Sequence, residues 1–474
     1  MSVEWPLVEL SELANEITVG FVGSMTQEYV DGGVPFFRSK NISAYEIDWE
    51  DIRYISSEFH MRISKSTLRA GDVAIVRTGK PGIACVIPDS IGEANCSDVV
   101  IVRVDDEKLS AHYLTYFMNS VATHQVSSRL VGAVQQHFNV GSAKKISIPL
   151  PPREEQERIV NILKTLDDKI RVNRQINQTL EQIAQTIFKS WFVDFEPVKA
   201  KVEAKAAGRD PERAAMCAIS GKLEPELDQL PTEHYQQLAA TAALFPDELV
   251  ESELGLIPVG WEVRTLKDLT VKIGSGATPR GGSGVYLDEG TALIRSQNVY
   301  DSEFAWDGLA RISDSAASQL SGVEVKREDV LLNITGASIL RTCVVVPDVL
   351  PARVNQHVAI IRAKAGIPAR YIHLHLLQQK TKDYLMGLNA GASREAVTKG
   401  HIESVPTLCP RPEVLKCFGD VTNSVFCEID QLASQSRTLA TLRDTLLPKL
   451  LSGELRPPSV PPTSQGGSKF EEPR

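Results

Sequence analysis

Three clusters of polar side chains carry the chemistry that this sequence offers. Arg38, Lys40 and Asn41 follow the apolar run Pro35-Phe36-Phe37 in a predicted loop. Arg77, Thr78 and Lys80 sit on a turn punctuated by Gly79, Pro81 and Gly82. Gln135, Gln136, His137 and Asn139 gather amides and an imidazole in one short stretch. These are the residue types that hydrogen-bond the edges of bases, Arg and Lys to guanine, Asn and Gln to adenine. A second set follows later in the chain: Arg295, Gln297 and Asn298, then Asn333 and Thr335, then Ser393 and Arg394. Asn41, Asn298, Asp72 and Asp329 have a plainer reading as turn formers, kept in both sets because the fold needs them. Positions that differ between the sets, such as Lys40 against Gln297, are the better candidates for discrimination between sequences.

Catalytic motifs fail one by one. Gly79-Lys80 lacks the upstream glycine of a phosphate loop and is followed by Pro81. In the run Gly274 to Gly282, Pro279 replaces the third glycine of GxGxxG, so a surface loop is the better reading. No [DN]PP[YF] occurs, which leaves amino-methyl transfer unsupported. Glu324-Val325-Lys326, with Asp314 upstream, has the look of a nuclease ExK, but its counterpart Thr67-Leu68-Arg69 lacks both charges in register, and an exposed strand entry explains it. His373 and His375 form an HxH with no third ligand nearby, so no metal site is expected.

The elements that must hold these clusters occur twice. Trp5 to Leu10 is answered by Trp261 to Leu266, Arg38 to Ile42 by Arg295 to Val299, and Leu68 to Ile75 by Val325 to Leu332. Ala84 to Pro88 is answered by Thr342 to Pro347, the run opened by Asn95 by one opened by Asn355, and Gly132-Ala133 by Gly391-Ala392. The offsets stay between 256 and 260 residues, which predicts a tandem duplication of a whole unit. Each unit reads as β-rich with a short helix over His112 to Asn119, hence α+β.

A long helix closes each unit. Pro149, Pro151 and Pro152 hold the entry extended, and Glu154, Glu155 and Glu157 suit the positive end of a helix dipole. Ile159, Leu163, Leu166 and Ile170, then Leu180, Ala184, Ile187 and Trp191, recur in steps of four and three as a coiled-coil seam. At about 55 Å (~1.5 Å per residue), such a helix needs a partner. The second seam, Phe418, Val421, Val425, Leu432, Leu439, Leu442 and Leu446, is expected to supply it in antiparallel fashion, ending at Pro448 and Gly453. Asn173 and Asn177 interrupt the first seam and are read as a register device. The stretch 198–258 has no counterpart and is expected to be a partly helical connector.

Composition sets the remaining bounds. With 42% hydrophobic and 23% charged residues the chain reads as soluble and globular, and no apolar run approaches the ~20 residues of a membrane span. A signal peptide is not expected. Seven scattered cysteines without CxxC are expected to be buried reduced thiols. The net charge of −9 argues against a nucleic-acid binder unless its basic residues are locally focused.

The Trp-led start, the Arg38 to Asn41 loop, the Gly71-Asp72-Val73 turn, the Pro149-Leu150-Pro151-Pro152-Arg153-Glu154-Glu155-Gln156 entry and the Leu446-Leu447-Pro448-Lys449-Leu450-Leu451-Ser452-Gly453 exit resemble the specificity subunit of type I restriction-modification systems. The second entry, Pro406 to Glu413, lacks the glutamine. The resemblance implies an α+β chain with two pseudo-symmetric globular target recognition domains separated by two long antiparallel coiled-coil-like helices. It places the domains at 1–148 and 259–409, the long helices at 149–197 and 410–453, the connector at 198–258 and a disordered tail at 454–474. It implies a non-catalytic, cytoplasmic subunit that reads a bipartite asymmetric site in double-stranded DNA. Its partners would be two methyltransferase subunits and the restriction and motor subunits, with no membrane. It would hold no cofactor itself, leaving S-adenosylmethionine, ATP and Mg to the partners. The specificity half of a type IIB-like system, an enzyme with an unrecognised site, and a scaffold without DNA contact stay open as alternatives.

Overall fold

In the computed structural model, which describes residues 5–129, 137–388 and 396–457, the valine- and isoleucine-rich runs become strands buried on both faces. Gly132-Ala133, Gln135, Gln136, Gly391-Ala392, Ser393, Arg394 and residues 458–474 of the tail lie outside the described residues. The chain divides into two units, Met1–Asn173 with Ser434–Arg474, and Arg174–Ala433.

The first unit holds a four-stranded antiparallel sheet, in the order Ala14–Val19, Val99–Val104, Val73–Val76, Ala84–Val86. Beside it lies a five-stranded sheet ordered Tyr29–Val30, Arg53–Ile55, Val34–Phe37, Ala94–Cys96, Thr67–Leu68. Side chains on a strand alternate between faces. Val73, Ile75, Val100 and Val102 accordingly join the core under helix Ala111–Met118, while Ala74, Val76, Val99 and Ile101 join the core shared with Phe37 and Cys96. Both faces are therefore apolar, which explains the unbroken hydrophobic runs.

The second unit repeats this order strand for strand. Its four-stranded sheet runs Thr270–Ser275, Val358–Ala363, Val330–Asn333, Thr342–Val344, and its five-stranded sheet runs Tyr286–Leu287, Ala310–Ile312, Thr291–Ile294, Ala352–Val354, Glu324–Val325. One expected correspondence is corrected. Phe37 pairs with Cys96 and Ile294 with Val354, so Asn95 answers to Arg353, and Asn355 answers to Ser97. The linker before the last strand is then Ser97-Asp98 in one unit and Asn355-Gln356-His357 in the other, one residue longer.

The turn aspartates earn their retention in both copies by bonding. Asp72 accepts from the Arg69 backbone N–H at 2.9 Å and faces Arg103 Nε at 3.3 Å. Asp329 accepts from Lys326 N–H at 2.7 Å and from Arg362 Nε at 2.7 Å. Each carboxylate caps its own turn and ties it to the neighbouring strand.

The long helices span Arg153–Phe192 and Pro412–Ser452. Gln156 is fully buried at the first entry, accepting from Ser110 N–H at 2.9 Å and donating to the Lys108 and Pro151 carbonyls. At the second entry Leu415 is buried in an apolar cluster. Within the first unit Asp167 meets Arg443 at 2.7 Å, and Asn173 Nδ2 donates to Gln435 Oε1 at 2.8 Å, so the helices run antiparallel there. Within the second unit Asn177 Nδ2 donates to the Ile429 carbonyl at 3.2 Å in the same sense.

The second seam differs from its expected residues. Val421 and Leu442 face solvent, and Thr422, Phe426, Ile429, Leu447 and Leu450 are buried. Thr422 fits an apolar seam because its hydroxyl donates to the Phe418 carbonyl at 2.7 Å. Pro448 lies inside the helix, which ends at Gly453 with a φ of 77°. The carbonyl that this proline leaves without a helical partner belongs to Asp444, an exposed residue. The thiols also depart from expectation: Cys85, Cys96 and Cys343 are buried, but Cys427 is exposed.

The connector forms helices Glu196–Ala206, Pro211–Ser220, Glu224–Leu227 and Thr232–Ala242, then a hairpin of Leu249–Ser252 with Gly255–Pro258. Around it Phe188, Trp191, Phe192, Phe245, Trp261, Tyr371 and Phe418 form one aromatic core.

Glu181 is a half-buried carboxylate on the first long helix, beside a small cavity that Arg370, His373 and Phe426 also line. Burial pushes its pKa from 4.5 up to about 7, with Glu303 adding to the effect and Arg370 opposing it. Arg370 is itself engaged, over the Phe426 ring at 4.3 Å and with Asp430 at 3.4 Å. The folded state therefore keeps a proton that the unfolded chain has released, so this group lowers stability as pH rises from 4.5 to about 7, and the loss persists above that. Glu181→Gln should raise the thermal midpoint at pH 8 and barely move it at pH 5. Melting curves at both pH values test this, and an equal shift at each would refute it.

Candidate nucleic-acid interface

Each five-stranded sheet contains one parallel pair among antiparallel neighbours: Val34–Phe37 with Ala94–Cys96, and Thr291–Ile294 with Ala352–Val354. Parallel strands finish at the same edge. The Arg38 loop and the Ser97-Asp98 linker therefore leave together, as do the Arg295 loop and the Asn355–His357 linker. In the first unit the Asp98 carbonyl accepts from Ser39 Oγ at 2.5 Å and from Arg77 N–H at 3.2 Å. Phe138 N–H donates to the Arg77 carbonyl at 3.0 Å, which brings His137 and Asn139 to the same place. The second unit matches: Ile334 N–H donates to the His357 carbonyl at 3.0 Å and Val397 N–H to the Ile334 carbonyl at 2.9 Å. Segments distant in sequence thus converge in each unit.

The predicted residues separate into two groups here. Asn41, Asn298 and Asn333 stand among the candidates for base contact, and the structure corrects this: all three are fully buried, in keeping with the turn-former reading of Asn41 and Asn298. Asn41 Oδ1 accepts from Arg38 N–H at 3.1 Å, and its Nδ2 donates to the Asp48 and Glu50 carbonyls. Asn298 does the same with Arg295 N–H at 3.0 Å and the Ala305 and Asp307 carbonyls. Asn333 Nδ2 donates to the Ser296 and Val299 carbonyls. The amides of Asn41 and Asn298, so engaged, fix their loops and have nothing left to present, and Asn333, whose Oδ1 finds no partner among the described residues, is held away from solvent by its burial. Asn139 commits its Oδ1 to Ser142 N–H at 2.8 Å as a helix cap.

Lys40, Lys80 and Gln297 are exposed, and Arg38, Arg77, Thr78, His137, Arg295 and Thr335 are half-buried at the same edge of their units. Among the described residues Arg77 Nε and His137 Nδ1 have no hydrogen-bond partner, and both atoms are buried. Gln135, Gln136 and Arg394, also expected at this surface, lie outside the described residues.

Sequence reading missed Asp51. Its carboxylate gathers Lys40, Arg53 at 3.2 Å and Arg38 at 3.4 Å. The hydrogen bond from Lys40 chiefly, with the nearby guanidiniums, lowers its pKa. In the second unit Gly308 takes the place of Asp51 and Gln297 that of Lys40, with Gln297 Nε2 donating to the Gly308 carbonyl at 3.2 Å. Both positions keep positive φ, 50° at Asp51 and 63° at Gly308, so the backbone is the same and only the groups differ. A Cβ at Gly308 would come within 2.5 Å of the Gln297 amide nitrogen. The lysine–aspartate pair and the glutamine–glycine pair are therefore alternatives at one place. A signal was available, since Lys40/Gln297 and Asp51/Gly308 share the offset of 257 residues.

The HxH histidines serve the core. Burial pushes the pKa of His373 down to about 3 and that of His375 to about 4, and their Nε2 atoms meet the Thr342 carbonyl and Thr407 Oγ1. Among the described residues no group of three or more His, Cys, Asp or Glu could hold a metal ion.

The family model of the type I restriction modification DNA specificity domain matches residues 2–182. The HindI specificity subunit of Haemophilus influenzae is 32% identical over 326 residues, covering 66% of this chain and 70% of that protein. The MjaIX specificity subunit of Methanocaldococcus jannaschii is 22% identical over 96% of this chain and 94% of its own length. A solved structure, the S subunit of a type I restriction-modification system from M. genitalium, covers 95% of this chain and 96% of its own at 13% identity, with a TM-score of 0.49. By the identity and coverage of the Haemophilus relative, this chain belongs to the specificity subunits of type I restriction enzymes.

Proposed function

We propose that each unit reads one half of a bipartite, asymmetric double-stranded DNA site through the loops that converge at its sheet edge. The observation that carries this is divergence on a fixed frame: buried Asn41 and Asn298 and turn aspartates Asp72 and Asp329 match between units, while Lys40-Asp51 becomes Gln297-Gly308. A lysine suits guanine and a glutamine suits adenine, so two copies of one fold can read two different half-sites. The chain is the non-catalytic, cytoplasmic partner of two methyltransferase subunits, and of motor and restriction subunits for cleavage. S-adenosylmethionine, ATP and Mg belong to those subunits. The −9 charge supports a reader that borrows phosphate contacts from its partners. The paired long helices set the spacing between half-sites.

Exchanging Val3–Ser142 for the same stretch of a relative should change one half of the methylated sequence and leave the other. Mapping methylated adenines in cells that carry the partner subunits reads this out, and an unchanged motif would falsify the assignment. Asp51→Gly combined with Lys40→Gln, which copies the second unit, should cut discrimination at one position of the first half-site by about tenfold. The same mapping checks it, and loss of methylation without a change of sequence preference would count against base reading by Lys40. Asn173→Leu with Asn177→Leu should raise the melting temperature, because the amide oxygens of both asparagines are buried with no partner among the described residues. Methylation should then spread to sites of altered spacing, and a fixed spacing would remove these residues as register pins.

A further inference from the structure

The glycine-rich stretch before Pro279 and the longer linker of the second unit meet. Gly276 lies so close to the next strand that a Cβ there would stand 2.0 Å from the Val354 carbonyl oxygen and 2.3 Å from that of Asn355. Ala277 N–H donates to the Val354 carbonyl at 3.1 Å and Gly276 N–H to that of Val358 at 3.0 Å. Only glycine permits this approach, and it lays exposed Thr278 over the Asn355-Gln356-His357 linker. There Thr278 Oγ1 hydrogen-bonds Gln356 Oε1. Gln356 Nε2 lies 3.1 Å from His357 Nε2, and His357 Nδ1 lies 2.7 Å from Thr335 Oγ1. Asn355 Oδ1 accepts from His357 N–H at 3.1 Å and steadies the turn.

The direction of this chain follows from what each group can do. An amide nitrogen only donates, so His357 Nε2 accepts. The ring proton is then on Nδ1 and goes to Thr335 Oγ1, and Thr278 donates its hydroxyl to the amide oxygen. Among the described residues nothing else bonds the Gln356 amide, which keeps one N–H and one oxygen lone pair on an exposed side chain. A donor beside an acceptor on one planar amide is the pattern that reads adenine at N7 and N6. The first unit lacks the device: its linker has only Ser97 and Asp98, and Gly20, packed against Cys96 as Gly276 is against Val354, leads to exposed Val22 where Thr278 stands.

We propose that Gln356 is a base-reading residue of the second unit, selecting adenine at one position, with Thr278 and His357 as positioning residues that fix which edge of its amide faces DNA. This rests on the reading of the units as target readers. The test is the map of methylated sites in cells that carry the whole chain with its partner subunits. Gln356→Ala should relax one position of the second half-site, with adenine preference falling about tenfold or more, and leave the first half-site intact. Gln356→Glu, which only accepts, should move that position toward cytosine. Thr278→Val and His357→Phe should relax the same position to a smaller extent, a readout that a merely structural role would not confine to one base. An unchanged motif in Gln356→Ala overturns the proposal, and so does a uniform drop in methylation at every site. The Val3–Ser142 exchange run alongside separates the two levels: if it alters one half-site while Gln356→Ala alters neither, the units are readers and Gln356 is not.

Discussion

The candidate surface depends on one pairing choice. In each five-stranded sheet a single parallel pair sits among antiparallel strands, Phe37 beside Cys96 and Ile294 beside Val354. Antiparallel neighbours would send the following loops to opposite ends. Parallel neighbours send both to one edge, where a single surface can use them together. Val34–Phe37 and Thr291–Ile294 each place apolar side chains in a core on either face, so a slip of register would turn apolar residues out of two cores at once, and the meeting of the loops is as secure as the cores themselves.

A division of labour between buried and exposed polar groups follows. Asn41, Asn298, Asp72 and Asp329 have no access to a ligand, yet they repeat between the units because each satisfies backbone groups that would otherwise be stranded in an apolar setting. The side chains that they hold in place are free to vary. Lys40 with Asp51, and Gln297 with Gly308, are two solutions on one backbone, down to the positive φ. A fixed skeleton with exchangeable tips lets one fold serve different recognition chemistries without rebuilding its core.

The sequence disclosed the duplication, the long helices and the loop clusters, because apolar periodicity and constant offsets survive in one dimension. The α+β class with two pseudo-symmetric domains follows from the same signals. What escaped depends on partners distant along the chain. Asn333 looked like a reader because its residue type is right, but strand Val330–Asn333 aims it at the Ser296 and Val299 carbonyls. Asn95 and Asn355 looked equivalent until strand pairing set them two places apart. Asp51 carries no local sign of its role, since its positive φ and its ion pair with Lys40 appear only in the folded chain. Val421 looked like seam because threonine does not count as apolar, although Thr422 hides its hydroxyl on the helix backbone.

The split of the chain between its units also orders their maturation. Arg174–Ala433 is one uninterrupted segment, whereas the unit that begins the chain borrows Ser434–Arg474 from the far end. Leu447, Leu450 and Leu451 close the same core as Ile159 and Leu163, and Arg456 lies over the ring of Trp5 at 5.4 Å. During synthesis the second unit can finish folding as soon as its last residue is available, while the first waits, with its seam bare, for the last helix. The part of the protein made first is completed last, and a ribosome that stops after residue 433 would release one finished unit and one unfinished one.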